Sequence, residues 1–305
     1  MVCVVILNER QTRFLINLLL FLTFDLMLLG AGVRTMDAGL TCPDWPMCFG
    51  KAIPDYHFGV YLEFIHRAIA GILSLIFLVF FIVVWKNQAF KKLRVFSLIS
   101  LFLLVAQVIM GGLTVLKLLE AYIVTMHLTL ATCFLVSLYV MKLKLKDHSQ
   151  LKPVKKSIWP KIFKVNVLAG VFFVIVQIVL GGLVASTYSG LICVDFPTCN
   201  GQMFPAFTGA VGIQVIHRLG AYWLGFLTAS LFMLALFAAP KIGLKQSHRI
   251  QAVKIFLLVC TQMAIGILNL KFLIPPWLSV VHLGMALTIL LMTLKLSFQL
   301  KTQKA

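Results

Sequence analysis

Five consecutive residues, Glu63-Phe64-Ile65-His66-Arg67, set a carboxylate, an imidazole and a guanidinium at the start of a long apolar run, Ala68 to Trp85. Charged groups near the end of a membrane span are costly and usually functional. On a helix Glu63 and His66 share a face, and Arg67 stands four residues from Glu63. The stretch returns as Gln214-Val215-Ile216-His217-Arg218, ahead of another apolar run, with Gln in place of Glu. Gln fills nearly the same volume and still hydrogen-bonds, but it cannot take up a proton. Glu63 thus gives the first copy a proton acceptor one helical turn from its His. The plainer reading is that Glu63 pairs with Arg67 and orients it.

Four histidines form a repeated set: His66 and His127 in the first half, His217 and His282 in the second. Each half has one on its second span and one on its fourth, one to two turns inside the same end. Two imidazoles at one depth on different helices suit the axial positions of a haem iron. The competing readings are histidines hydrogen-bonded between helices, or members of a proton path. Zinc fits less well, because it wants three or four ligands and each half offers two histidines. Arg67 and Arg218, next to the ligand-like histidines, are candidates to meet haem propionates as carboxylate partners. Alternatively they snorkel to the headgroups. His57 reads as a solvated loop residue, and His148 and His248 lie in basic loops without a role.

Two loops carry Cys42-Pro43-Asp44-Trp45-Pro46-Met47-Cys48 and Cys193-Val194-Asp195-Phe196-Pro197-Thr198-Cys199, with identical cysteine spacing. On an oxidising face these predict local disulfides, Cys42–Cys48 and Cys193–Cys199, with redox-active thiols as the alternative. Cys3, Cys133 and Cys260 read as ordinary residues.

The elements that must position these groups are membrane helices. The 305 residues are 61% hydrophobic and 12% charged, with a mean hydropathy of +1.02. A soluble domain cannot bury that much apolar surface, so the bilayer is the solvent. The net charge of +18 sits in short loops between apolar runs, which is membrane topology rather than a nucleic-acid surface. Eight spans are expected, at about 13–33, 62–85, 93–116, 120–141, 162–184, 211–237, 249–270 and 277–298, each near the ~20 residues needed to cross hydrocarbon. The first reads as an uncleaved helix rather than a signal peptide. With the N-terminus inside, 21 Lys and Arg fall on inner segments and 6 on outer ones. Both termini are therefore expected in the cytoplasm and the cysteine loops outside.

The chain also repeats itself. Leu29-Gly30 matches Leu180-Gly181, Gly39-Leu40-Thr41-Cys42 matches Gly190-Leu191-Ile192-Cys193, and His66 matches His217, all at an offset of 151. Gln107 with Gly111 matches Gln262 with Gly266, and His127 matches His282, at an offset of 155. This predicts two four-helix halves, 1–150 and 151–305, in the same orientation, related by an axis along the membrane normal. The basic stretch from Lys142 to Lys164 is the linker. Gly111-Gly112 and Gly181-Gly182 lie inside spans, where small residues let helices approach closely.

Taken together, these motifs resemble the haem A synthase family, membrane enzymes that convert haem O to haem A for cytochrome oxidase. The resemblance covers essentially all eight spans. It rests on Glu63-Phe64-Ile65-His66-Arg67, the two Gly-Leu-x-Cys loops, Gln214-Val215-Ile216-His217-Arg218, and the late His127 and His282. It implies an oxidoreductase in the cell membrane that oxidises the C8 methyl of haem O to a formyl by successive hydroxylations. It assigns His66 and His127 to the substrate haem O, and His217 and His282 to a haem b cofactor. The partners it implies are the farnesyltransferase that makes haem O and an electron acceptor such as a quinone. The alternative is a di-haem membrane cytochrome passing electrons from quinol, which shares the ligands but has no need of a carboxylate in one half only. A transporter with histidine-lined paths is less suited, since its helices would break at mid-membrane.

Overall fold

The computed structural model describes residues 8–145, 159–203, 205–238 and 242–301. Most of the Lys142–Lys164 linker, His148 and Cys3 lie outside the described residues. Among the described residues eight helices are long and apolar enough to cross a membrane. The chain divides into two compact units, Met1–Asp147 and His148–Ala305.

In the first unit α1 (Glu9–Thr35), α2 (Phe58–Lys86), α3 (Arg94–Leu116) and α4 (Ala121–Leu145) pack in a closed order: α1 on α2, α2 on α3, α3 on α4, α4 on α1. In the second, α5 (Trp159–Ser186), α6 (Gly209–Phe237), α7 (Gln246–Lys271) and α8 (Pro276–Lys301) do the same. Each is a four-helix bundle.

Most of the helices outrun the expected spans, by up to four residues at an end. Hydropathy registers only the hydrocarbon-thick part, while polar residues extend and cap the helix beyond it. Asn8 caps α1: its side chain accepts from the Gln11 amide at 2.9 Å, and Gln11 Oε1 accepts from the Asn8 amide at 2.9 Å. Between α2 and α3 the chain winds as a 3-10 helix, Gln88–Leu93, in the connection expected between the second and third spans. Hydroxyls inside the bundles bond back to their own helix, as Thr23 does to the Leu19 carbonyl at 2.7 Å and Thr132 to Leu128 at 2.9 Å. Hydrocarbon offers them no other partner.

Each bundle is packed solid at one end. In the first unit Ile16, Leu19, Phe77, Phe80, Leu135 and Leu138 are almost fully buried there, and Phe77 meets Phe134 edge-on at 5.4 Å. In the second, Phe163, Val167, Leu231, Ala235, Ile255 and Leu296 form the equivalent cluster. The histidines and cysteine loops lie at the other end, so the apolar plug fixes the helix spacing that the site needs.

Candidate functional site

The four repeated histidines adopt one pose. His66 and His217 stand eight residues into α2 and α6, and His127 and His282 stand six residues into α4 and α8. Each ring lies against a glycine five residues from the end of a neighbouring helix. A Cβ on Gly30 would sit 3.0 Å from His66 Cε1, on Gly111 3.1 Å from His127, on Gly181 3.2 Å from His217, and on Gly266 3.1 Å from His282. These glycines therefore seat imidazoles, a more specific task than the close helix approach expected of Gly111 and Gly181. Within each unit the two rings are near enough to interact electrostatically, His66 with His127 and His217 with His282.

Glutamines attend three of the four histidines, two of them at the ring. Gln107 Nε2 lies 3.2 Å from a His127 ring nitrogen. Gln177 Nε2 lies 3.1 Å from His217 Nδ1 and donates to the His217 carbonyl at 2.7 Å. Gln262 donates to the His282 carbonyl at 3.0 Å. Buried Nδ1 atoms of His66, His127 and His282 have no hydrogen-bond partner. Buried polar groups are rarely left so, and two neighbouring imidazoles with unspent nitrogens are a donor set that fits haem iron. Among the described residues no three His, Cys, Asp or Glu side chains converge as a protein-only metal site would require.

Above each pair lies a disulfide-closed loop. Cys42–Cys48 and Cys193–Cys199 are bonded, with Cα separations of 4.9 and 4.6 Å. Cys48 pairs with Lys51 and Cys199 with Gln202 across a tight turn whose central residues, Phe49-Gly50 and Asn200-Gly201, have positive φ. Asp44 accepts the Phe49 and Gly50 amides at 2.6 and 2.7 Å. Asp195 accepts the Asn200 and Gly201 amides at 2.6 and 2.9 Å, and the Thr198 hydroxyl. The Gly50 amide chiefly holds the Asp44 carboxyl below its ordinary range, and the Thr198 hydroxyl does the same for Asp195.

Arg67 and Arg218 clamp these loops. Arg67 donates to the carbonyls of Asp44 at 2.7 Å, Met47 at 2.6 Å and Cys42 at 3.3 Å. Arg218 donates to Asp195 at 3.0 Å, Thr198 at 2.8 Å and Cys193 at 2.6 Å. A second restraint comes from the α3–α4 and α7–α8 turns, whose Leu119 and Ile274 press on Gly39 and Gly190; a Cβ on Gly190 would come within 2.3 Å of Ile274. This contact explains the glycine at Gly190, whereas a Cβ on Gly39 would lie 3.4 Å from Leu119, an ordinary packing distance.

Several differences between the units bear on the site. Glu63 is 4% exposed. Its carboxylate pairs with Arg67 at 2.5 Å and accepts from the Cys42 amide at 2.9 Å and the Thr41 hydroxyl at 3.1 Å. Gln214 instead donates to the Gly190 carbonyl at 3.3 Å, and its buried oxygen has no partner. Trp45 lies on Gly112 of α3, where a Cβ would be 3.1 Å from the indole. Its counterpart Phe196 lies under Arg218 and near Tyr222 on α6. Finally, His66 has no glutamine.

His57 is exposed at the start of α2, as expected, whereas His248 is buried in the first turn of α7 rather than in a loop. Sequence reasoning missed the loop-clamping role of the arginines, the Trp45 seat and the attending glutamines. The last had a visible signal: Gln-x-x-x-Gly recurs at Gln107, Gln177 and Gln262.

Residues 13–294 match the COX15-CtaA family, described as cytochrome oxidase assembly protein. The chain belongs to this family. It is similar to a protein named "Heme A synthase" from Shewanella oneidensis, 30% identical over 94% of this chain and 96% of that one. Proteins of the same name from Neorickettsia sennetsu (28% identical, covering 89% and 93%) and Shouchella clausii (31% identical, covering 67% and 69%) are also similar. Family membership spans both units, so both histidine pairs, both loops and the Glu63/Gln214 difference lie inside the matched region.

Proposed function

We propose that the protein is a haem A synthase, a membrane oxidoreductase that converts haem O to haem A. The observation that carries this is the paired arrangement itself: two imidazoles on glycine seats beneath a clamped disulfide loop, once in each unit, in a chain of this family. His66 and His127 hold the substrate haem O. His217 and His282 hold haem b, whose iron when bound supplies one-electron chemistry. The chain's own part is to orient the porphyrin and to handle protons. With water as the source of each inserted oxygen and the acceptor taking two electrons per step, two hydroxylations of the C8 methyl followed by loss of one water give the formyl and release two protons per step. Glu63, one turn from His66, takes them up. Arg67 and Arg218 fix the loops and offer their remaining edge to propionates. Trp45 closes the first unit over α3.

In this reading haem O comes from a farnesyltransferase in the same membrane and electrons leave to an acceptor such as a quinone. Both termini are cytoplasmic, and the disulfide loops face outward.

For Glu63 one observation favours a second role. Two of its hydrogen bonds tie α2 to the loop at Thr41 and Cys42 and the third holds Arg67, so it also anchors the lid.

Extracting porphyrins from the purified protein and weighing them by mass tests the proposal. Haem b together with haem O or haem A is expected. Haem b alone at two equivalents per chain would show a di-haem electron carrier instead.

A further inference from the structure

Both units must grip a haem, yet they face opposite demands: a cofactor stays, while a substrate enters and its product leaves. The structure carries a difference that matches this. Four residues before each seating glycine stands a residue level with the imidazole. It is Gln107 before Gly111, Gln177 before Gly181 and Gln262 before Gly266, but Leu26 before Gly30. The glutamines hydrogen-bond their histidines at the ring, at the backbone carbonyl, or at both. His66 makes no ring hydrogen bond among the described residues, and its Nδ1 is buried without a partner.

Room for the amide differs as well. Gln177 Oε1 lies against Gly220, where a Cβ would come within 2.3 Å of it. Gly220 is three residues after His217; three residues after His66 stands Ile69. The first unit thus has Leu26 and Ile69 where the second has Gln177 and Gly220: an apolar pair, bulkier by the Ile69 side chain, that leaves no amide at this level.

A ligating imidazole gives one nitrogen to the metal and carries a proton on the other, and a hydrogen-bond acceptor there fixes the ring and raises its basicity. Gln107 and Gln262 each keep a buried side-chain oxygen with no partner, available for that task beside His127 and His282. Removing such an outer partner typically weakens metal affinity about 10–100-fold.

We propose that Gln107, Gln177 and Gln262 are positioning residues for their histidines, and that Leu26 and Ile69 leave His66 deliberately unsupported, making the first unit the exchanging haem site and the second the retaining one. This rests on the reading that the four histidines ligate haem.

The test is haem transfer from the purified full-length protein, loaded with protohaem in detergent, to excess apomyoglobin. Wild type should lose haem in two phases. His66→Ala should abolish the fast phase and His217→Ala the slow one. Leu26→Gln, alone and with Ile69→Gly, should slow the fast phase about 10–100-fold and shift the low-spin resonance of that haem alone. Gln177→Leu should speed the slow phase comparably. A single rate for both wild-type haems, or no effect of Leu26→Gln/Ile69→Gly and Gln177→Leu on their phases, would overturn the proposal. Two phases unaffected by either His→Ala change would instead overturn the ligation reading on which it rests.

Discussion

Glu63→Gln makes the first unit copy the second at this position. The cost to folding can be bounded from the structure. Glu63 and Arg67 are a mostly buried pair at 2.5 Å, with side chains 5% and 15% exposed. Removing one partner of a buried pair costs about 3–5 kcal/mol when the other charge is stranded. Here the guanidinium keeps the carbonyls of Cys42, Asp44 and Met47. Arg218 holds its loop by the corresponding three carbonyls with Gln214 in place of Glu. The stability loss is therefore expected near or below the lower bound, about 2–3 kcal/mol, and the variant should insert and retain haem b. Loss of a general base removes about 10²–10⁴ in rate. The assay is haem A formed per haem b-loaded protein in a single turnover with supplied haem O, with Glu63→Asp as the carboxylate-retaining control. Haem O binding should persist while haem A formation falls by at least the lower figure. A near-normal rate in Glu63→Gln would refute the proton role and leave Glu63 as an anchor for the loop. A large loss in which Glu63→Asp is equally inactive and the Cys42–Cys48 loop has opened to protease would point the same way.

Replacing His217 or His282 by Ala should abolish the low-spin haem b absorption in protein that still inserts, and haem b persisting in both single variants would break the pairing. Gly181→Ala should push the His217 ring by a few tenths of an ångström and lower haem b occupancy, whereas Gly32→Ala, with nothing within 4 Å of the new methyl, should leave occupancy unchanged and raise thermal stability by up to ~1 kcal/mol of helix propensity; equal occupancy in the two would contradict the seating role. Asp44 and Asp195 have carboxyls held below their ordinary values in the folded loops, so their contribution is fully present above the unfolded value of about 3.9 and fades only as pH falls through the lower folded value. Disulfide reduction by phosphine should stay slow at pH 5 and neutral pH alike, and Asp195→Asn should speed reduction of Cys193–Cys199 at both; a wild-type loop that loosens between pH 7 and pH 5 would contradict this.

What could be read from the sequence follows from how each contact is encoded. Spans declare themselves through hydropathy, because hydrocarbon penalises every polar residue along ~20 positions. Their ends do not: the Asn8–Gln11 capping box and the Gln88–Leu93 winding depend on single polar groups and local backbone. His66, His127, His217 and His282 stood out because a repeated side chain keeps its spacing. Arg67 and Arg218 were visible, but their partners are backbone carbonyls some 20–25 residues away, and a carbonyl carries no residue identity to search for. Gly112 illustrates the same limit from the other side: small residues in a span read as helix contacts, yet this one receives an indole from a loop.

The asymmetry between units shows why the two kinds of information are needed together. Glu63 against Gln214 is legible as a difference in charge, since aligning the repeat exposes it at once. Leu26 against Gln177 is not, because a leucine in a membrane helix is the expected residue and attracts no notice. It acquires meaning only when the pose of four imidazoles on four glycines shows that a polar group belongs at that level. An apolar residue can thus be as functional as a carboxylate when it withholds a hydrogen bond. A duplicated fold that must hold one haem and release another has this route open to it, since loosening an axial ligand through its neighbour leaves the ligand, its helix and the glycine seat in place.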